Sequence, residues 1–235
     1  MSVSQTSQIS RPSGAPARAV KIVESIAIAV GVALVLGLVA LGAAFHPYNI
    51  ASGSMAPTLV KGDYLITSNL AYKFGGRPQR GDIVALKSLR ADASTFVKRI
   101  VGLPGDRVQL KDGVVYLNGQ PVEREAMGPA TEVGPFGLTH PVLRFRETLP
   151  GGRAYMTFSY GPGSDFENTG VYVVPAGRYF VLGDNRDNSV DSRLPPDLGG
   201  GYVPFENLKG KAEAVISWSR NDVDGRGGRL IRSLR

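Results

Sequence analysis

The feature that most constrains this chain is an uninterrupted apolar run from Ile26 to Phe45, built only from Ala, Val, Ile, Leu, Gly and Phe. A helix of these 20 residues is roughly 30 Å long, which matches the hydrocarbon core of a bilayer. We therefore expect a transmembrane helix over residues 22–45. A buried core helix would show the same run. A cleaved signal peptide would have a shorter core of about 7 to 15 residues, although the small residues 40–44 resemble a cleavage region.

The basic residues near this run lie on one side of it. Arg11, Arg18 and Lys21 precede the run, whereas the next basic residue is Lys61. Because Lys and Arg near a spanning helix favour the cytoplasmic side, the N-terminus is predicted to be cytoplasmic and the rest of the chain extracytoplasmic. Residues 1–21, rich in Ser, Gln, Pro and Arg, are expected to form a disordered tail.

The remaining residues 46–235 are long enough for one domain. Short β-branched runs separated by turn signals predict a mainly β domain with an antiparallel β-sheet, and Asn118-Gly119 is typical of a hairpin turn. Between residues 126 and 169 the composition changes to Gly, Pro and scattered aromatics, which predicts an inserted β-rich subdomain. The expected strands lie at 63–67, 82–87, 95–101, 114–117, 170–174, 179–182 and 212–218.

Composition excludes several kinds of site. The chain has no cysteine, so disulfides, thiol catalysis and cysteine-bound metals are impossible. His46 and His140 have no evident Asp or nucleophile partner in the sequence, so we expect neither a Ser-His-Asp triad nor a metal or other cofactor. The net charge of +7 is dispersed, which favours a solvated surface or contact with anionic lipid over nucleic-acid binding.

Ser54, in the segment Ser52-Gly53-Ser54-Met55, follows the apolar run closely and is a candidate nucleophile. A serine without a histidine base needs another proton acceptor, and a neutral lysine can serve. An ordinary lysine is neutral in only about one molecule in 2,500 at pH 7, but burial can lower its pKa by roughly two to three units. Lys98 lies in the apolar strand 95–101 and is therefore the candidate base. Taken alone, Lys98 would also fit a solvent-facing strand position, and Gly-Ser-Met a simple turn.

A third segment, Gly183–Arg193, places many Asp, Asn, Ser and Arg residues directly after an apolar strand. Alone it would fit a hydrogen-bonded turn. Together with four other segments, however, it resembles the motif series of bacterial type I signal peptidases, the leader peptidase family, in order and spacing. The resemblance covers about residues 48–218 apart from the predicted insertion, and its motifs are residues 52–58, 62–63, 80–84, 98–106 and 183–193.

The resemblance implies a role for each matching polar residue. Ser54 would be the nucleophile and Lys98 the general base, while the Ser52 hydroxyl and the Ser54 N–H would form the oxyanion hole. Ser189 would orient the lysine amine. Asp191 and Arg193 would form a supporting ion pair. Asp184 would be a further acidic group that helps to hold the site together.

Four apolar residues match positions where the family lines shallow pockets for small substrate side chains; ordinary β packing is the alternative for them. They are Ile50, Met55, Phe96 and Val97. The chain departs from the family pattern at Ala51, where Pro is frequent, and in having one spanning run where many members have two. Neither departure removes a catalytic group.

The resemblance implies a serine endopeptidase anchored in the bacterial inner membrane, with a periplasmic catalytic domain that removes signal peptides from exported preproteins. Its expected partners are these preproteins, membrane lipid and a nearby translocon, with no nucleic acid and no cofactor. A specialised relative that matures one substrate, such as a conjugation pilin, remains an alternative. So do a self-cleaving repressor, for which no helix-turn-helix is evident, and a non-catalytic anchored β module.

Overall fold

The N-terminal unit is one long helix. In this computed structural model, which describes residues 15–73, 75–89, 94–134, 138–217 and 230–234, helix α1 runs from Ala15 to Ala44. Its side chains from Arg18 to Ala43 are exposed. The 27 residues Arg18–Ala44 are long and apolar enough to cross a membrane. The predicted apolar helix is thus confirmed.

The bounds of this helix differ from the prediction at both ends. Residues 15–21, which we expected to belong to a disordered tail, are helical, because the Ala residues among them favour helix and extend the turns that the apolar run begins. At the other end, Phe45 pairs with Ser68 in a strand and is not helical. The rest of the predicted tail, residues 1–14, lies outside the described residues.

Residues 44–235 form a second compact unit that is mainly β, which confirms the predicted fold class. Its one α-helix among the described residues, α2, covers only Leu70–Lys73. The strands that the structure describes are β1 Phe45–Asn49, β2 Tyr64–Ser68, β3 Ile83–Lys87, β4 Thr95–Gly102, β5 Arg107–Lys111, β6 Val114–Leu117, β7 Gln120–Pro121, β8 Glu123–Val133, β9 Thr139–Thr148, β10 Ala154–Ser159, β11 Tyr172–Val173, β12 Arg178–Leu182, β13 Val203–Pro204, β14 Leu208–Ser217 and β15 Leu230–Ser233.

These strands make three antiparallel sheets. The large sheet has the order β1-β2-β14-β3-β4-β12-β13, with β15 beside β14. A four-stranded sheet has the order β11-β5-β6-β7, and its last hairpin turns at Asn118 and Gly119, whose φ angles of 52° and 84° are those of the predicted tight turn. Each predicted strand overlaps a strand of the structure, although the bounds differ: the strand expected at 170–174 is only Tyr172–Val173, and the one expected at 212–218 begins at Leu208. Trp218 lies outside the described residues.

The predicted insertion is β-rich and forms the third sheet, β10-β9-β8, over Glu123–Ser159. It begins slightly before residue 126, because β8 continues directly from the short strand β7. A parallel bridge between Phe158 and Asn185 joins the end of this sheet to the segment after β12. The third sheet therefore reaches the polar motif that the sequence singled out.

Strand β4 lies inside the large sheet, between β3 and β12, and this position explains its burial. Val84 of β3 faces Lys98 of β4, and Val181 of β12 faces Ile100. Val84, Ile100 and Val181 are buried together in one apolar cluster. A lysine at position 98 is therefore surrounded by a folded core.

Candidate active site

Ser54 lies on a turn that follows β1. The turn is closed by a hydrogen bond of 3.0 Å from the Ala56 N–H to the Gly53 carbonyl. Two apolar anchors follow it, Met55 and Leu59, whose exposed fractions are 1% and 0%. The nucleophile candidate is thus fixed by apolar burial immediately after it, while its own side chain stays half-buried.

The structure brings Ser54 and Lys98 together from distant parts of the chain. The Lys98 Nζ lies 2.8 Å from the Ser54 Oγ and 3.0 Å from the Val97 carbonyl oxygen. Lys98 is only 4% exposed, and its Nζ also lies 5.4 Å from the centre of the Phe96 ring. This is hydrogen-bond reach for proton transfer between a hydroxyl and an amine.

Burial lowers the pKa of Lys98 to about 8, although the Asp191 and Asp184 carboxylates oppose this effect. The nearby Arg193 guanidinium adds to the lowering. With a pKa near 8, about one amine in ten is neutral at pH 7, compared with about one in 2,500 for an exposed lysine. The environment therefore favours a lysine that can accept a proton.

Ser52 lies beside Ser54, the candidate nucleophile. Its Oγ is 3.2 Å from the Ser54 Oγ, and its side chain is exposed. A hydroxyl in this place can turn toward an oxygen atom of a substrate carbonyl attacked by Ser54. The Ser52 hydroxyl and the Ser54 N–H belong to one short turn, and their role as oxyanion donors stays a prediction.

Ser189 reaches the site but does not make the predicted hydrogen bond to Lys98. Its Oγ is buried and has no hydrogen-bond partner among the described residues. The amine of Lys98 contacts the Ser54 hydroxyl and the Val97 carbonyl instead. Ser189 packs against Gly183, where an added Cβ would lie 2.2 Å from the Ser189 Oγ and 2.5 Å from the Ser54 carbonyl oxygen. Only glycine fits between these two serines.

Asp184 is held by groups that the sequence argument did not assign. The Arg99 guanidinium donates two hydrogen bonds to its carboxylate, at 2.8 and 2.6 Å, and the Thr58 hydroxyl donates a third at 2.5 Å. Arg99 follows Lys98 directly, so the alternation of β4 turns the two side chains to opposite faces. Asp184 therefore ties the strand of the lysine to the turn of the nucleophile.

Asp191 and Arg193 form the predicted ion pair. The Arg193 Nε lies 2.8 Å from one Asp191 oxygen, and the Gly183 N–H donates to the other at 3.0 Å. Burial alone would raise the pKa of Asp191, but Arg193 and these hydrogen bonds outweigh it and lower the pKa. Asp191 is therefore an anion near Lys98 at neutral pH.

The four candidate pocket residues divide between two clusters. Ile50 and Met55 are buried in one cluster, against which the half-buried Val97 packs. Phe96 packs against a second cluster with Val84 and Ile100, because neighbouring strand residues point to opposite faces. The substrate-binding role of these residues stays a prediction.

Sequence reasoning missed the contribution of the third sheet to this site. Glu147 of β9 accepts hydrogen bonds from the buried Arg186 guanidinium, and Glu132 of β8 accepts one from Asn188. Both donors belong to the Gly183–Arg193 motif. No local pattern around either glutamate signals these long-range contacts. Among the described residues, no group of His, Asp or Glu side chains is arranged to hold a metal.

The chain is similar to several known proteins. The family model "Signal peptidase, peptidase S26" matches residues 20–218. The chain belongs to this signal peptidase family. It is 38% identical over 208 residues to signal peptidase I of Rickettsia typhi (strain ATCC VR-144 / Wilmington), covering 76% of each chain. It is 36% identical over 229 residues to signal peptidase I of Rickettsia prowazekii (strain Madrid E), covering 85% of this chain and 82% of the relative.

A crystal structure of a signal peptidase I from Enterococcus faecalis V583 is also similar, at 26% identity, with 57% of this chain and 96% of that chain covered. Its TM-score of 0.33 is too low to support an argument about the fold. Family membership confirms the predicted class of enzyme, a signal peptidase and serine hydrolase. The long apolar helix fits the membrane anchoring predicted from the sequence.

Proposed function

We propose that this signal peptidase is a membrane-anchored serine endopeptidase that cleaves signal peptides from exported preproteins through a Ser54–Lys98 dyad. The observation that carries the proposal is the 2.8 Å contact between the Lys98 Nζ and the Ser54 Oγ. Its support is the burial that lowers the pKa of Lys98 to about 8. No histidine is needed for this chemistry.

In the acylation half, the neutral Lys98 amine takes the proton of the Ser54 hydroxyl while the oxygen attacks the scissile carbonyl. The Ser52 hydroxyl and the Ser54 N–H donate to the resulting oxyanion, and preorganised donors of this kind are worth about 2.7 to 4 kcal/mol each. When the C–N bond breaks, Lys98 returns its proton to the leaving amine. The mature protein leaves first, and the signal peptide remains as an ester on Ser54.

In the deacylation half, Lys98 is neutral again and takes a proton from a water molecule that attacks the ester. The same two donors hold the second oxyanion. Collapse of this intermediate releases the signal peptide as a carboxylic acid, and Lys98 reprotonates the Ser54 oxygen. One buried amine thus serves both halves, since it ends each half in the form in which it began.

The proposed substrate is an extended preprotein segment with a small-x-small sequence before the cut. Main-chain hydrogen bonds along a strand edge would supply affinity, and shallow apolar pockets would select the side chains. Val97, with Ile50 and Met55 behind it, offers an apolar surface in keeping with small groups. Preproteins would reach the site as they leave the translocon.

The proposed location is the bacterial inner membrane, with residues 44–235 on its periplasmic side and in contact with membrane lipid. The basic residues Arg18 and Lys21 at the start of the apolar helix favour a cytoplasmic N-terminus. Protease added to spheroplasts should digest the catalytic unit. Protection of that unit would contradict this orientation.

The deciding experiment uses detergent-solubilised full-length protein and a preprotein with Ala at the first and third positions before the cut. We expect wild-type protein to release one new N-terminus, detected by mass spectrometry, and Ser54→Ala to release none. Ser25→Ala, which removes a hydroxyl of α1, is the matched control and should cleave normally. An inactive wild type, or an active Ser54→Ala variant, would refute the proposed function.

A further inference from the structure

Glu132 of β8 is a buried carboxylate outside the catalytic motifs. It is 3% exposed, and each of its oxygens accepts one hydrogen bond from a neutral group. The Asn188 Nδ2 donates to Oε1 at 3.0 Å, and the Tyr160 hydroxyl donates to Oε2 at 3.1 Å. Among the residues that the structure describes, no cation pairs with Glu132.

This arrangement is unusual for a group that only fills space. A buried carboxylate with neutral donors alone loses much of its hydration, whereas an apolar side chain could occupy the same volume at lower cost. The Tyr160 hydroxyl remains a hydrogen-bond donor to Glu132, because burial and, second in size, the charge of Glu132 raise the pKa of Tyr160 to about 12. The phenol therefore stays protonated at neutral pH.

The carboxylate of Glu132 lies against the turn that carries the nucleophile. A Cβ added to Gly53 would be 2.8 Å from the Glu132 Oε1 and 3.6 Å from the Asn188 Nδ2. The peptide groups of this turn have a second support, since Asn185 donates to the Gly53 carbonyl at 3.2 Å and to the Ser54 carbonyl at 3.1 Å. The Gly53 backbone is thus bounded by Glu132 and Asn188 and bonded to Asn185.

Gly53 stands between the two oxyanion donors of the proposed mechanism, the Ser52 hydroxyl and the Ser54 N–H. A small displacement of its peptide would move both donors, and a misplacement of about 1 Å can reduce a rate by roughly 10²-fold. We infer that Glu132, held by Tyr160 and Asn188, is a positioning residue that fixes Gly53 and so aligns the oxyanion hole. This inference rests on the proposed function and adds a residue from the third sheet to it.

The test compares three variants of the full-length, detergent-solubilised protein in the preprotein assay. Glu132→Ala removes the contact with Gly53, so kcat should fall about 10- to 100-fold while KM stays within about twofold. Glu132→Gln keeps an acceptor for Asn188 and can donate to the Tyr160 oxygen, so its kcat should stay close to that of wild type. Glu125→Ala, which changes an exposed glutamate of the same strand, should match wild type.

A peptide aldehyde inhibitor separates positioning from general structure. Its carbonyl carbon bonds to the Ser54 Oγ and its oxygen takes the oxyanion place, so its inhibition constant should rise in Glu132→Ala by about the factor by which kcat/KM falls. A purely structural role would lower the thermal midpoint and leave the kcat of the folded molecules unchanged. Unchanged kcat in Glu132→Ala, or equal losses in Glu132→Ala and Glu132→Gln, would overturn the inference.

Tyr160→Phe keeps the test decisive if Glu132→Ala does not fold. Tyr160 is 49% exposed, so its phenol can be removed with little effect on the core. We expect a kcat lowered about threefold at an unchanged thermal midpoint; a wild-type kcat would overturn the inference.

Wild type and Ser54→Ala are measured in the same series. If wild type does not cleave, the proposed function fails, whereas if only the Glu132 and Tyr160 variants behave as wild type, the positioning role alone fails.

Discussion

The large sheet and the three-stranded sheet both bury charged side chains, but they use them for different purposes. In the large sheet, Arg99 pairs with Asp184 close to Lys98, and both Asp184 and Asp191 act on the pKa of that lysine. In the three-stranded sheet, the buried carboxylates contact the chain around the reacting groups. The first region thus sets the charge environment of Lys98, and the second holds Arg186 and Asn188 through hydrogen bonds.

Glu147 shows the second use most clearly. It is 1% exposed and accepts hydrogen bonds of 2.7 and 2.5 Å from Arg186, together with one of 2.9 Å from the Tyr155 hydroxyl. Burial alone would lower the pKa of Arg186, but Glu147 and Tyr155 outweigh it and raise the pKa. Substitution of Lys98 should therefore act mainly on rate, and substitution of Glu147 mainly on stability.

The largest expected effect is on rate, in the large sheet. Lys98→Met keeps the length and apolar packing of the side chain but removes the proton acceptor, so cleavage should fall by at least about 10³-fold. Lys98→Arg should be nearly as inactive, because a guanidinium is not deprotonated in proteins. Circular dichroism should show an unchanged fold. Near-normal turnover by either variant would contradict the lysine base and remove the contrast between the regions.

The next effect is on stability, in the three-stranded sheet. Glu147→Ala leaves the buried Arg186 without its anion, so the free energy of unfolding should fall by about 3 to 5 kcal/mol. Urea unfolding measures this loss, and the exposed Glu123→Ala serves as the matched control. The molecules that remain folded should cleave at a rate within about threefold of wild type. A large loss of rate without a loss of stability would contradict a structural role for Glu147.

The pH dependence sharpens the account of the large sheet. Because only the neutral amine can accept a proton, kcat/KM should rise about tenfold per pH unit below the Lys98 pKa and level off above it. The pKa of about 8 places the midpoint there. Ser52→Ala should lower the plateau without moving this midpoint. A midpoint near the ordinary lysine value of about 10.4 would show that burial does not act as described.

The smallest effect concerns substrate choice at Val97 of the large sheet and at Ile50, which packs in the same apolar cluster. If Val97 and Ile50 limit the third residue before the cut, Val97→Ala or Ile50→Ala should admit larger side chains there. Excluding extra methylenes from packed apolar space is worth roughly 1 to 3 kcal/mol, or about 5- to 150-fold per site. Mass spectrometry of the released N-termini should reveal shifted or additional cleavage sites. The exposed control Val173→Ala should leave the cleavage sites unchanged. Unchanged sites in Val97→Ala and Ile50→Ala as well would show that Val97 and Ile50 are ordinary core residues.

The sequence alone predicted seven of the strands, and it singled out Ser54 and Lys98, whose side chains lie 2.8 Å apart in the structure. Alternation and turn residues mark these seven strands locally, as at Asn118-Gly119, and the resemblance of the motifs indicates Ser54 and Lys98 as candidates. The partners of these motifs could not be predicted, because a contact between Glu132 and Asn188, 56 residues apart, leaves no trace in the pattern around either residue. Ser189 was expected to orient the Lys98 amine, but among the described residues its hydroxyl has no partner, because the amine bonds to the Ser54 hydroxyl and the Val97 carbonyl.

Gly183 has a consequence for how this enzyme can diverge. Any side chain at this position would displace the Ser54 carbonyl or the Ser189 hydroxyl. The position therefore admits a single amino acid for as long as cleavage is under selection. In a descendant that kept the fold for another purpose, a larger residue at position 183 would require Ser189 or the Ser54 carbonyl to move, and so would show that their arrangement is no longer maintained.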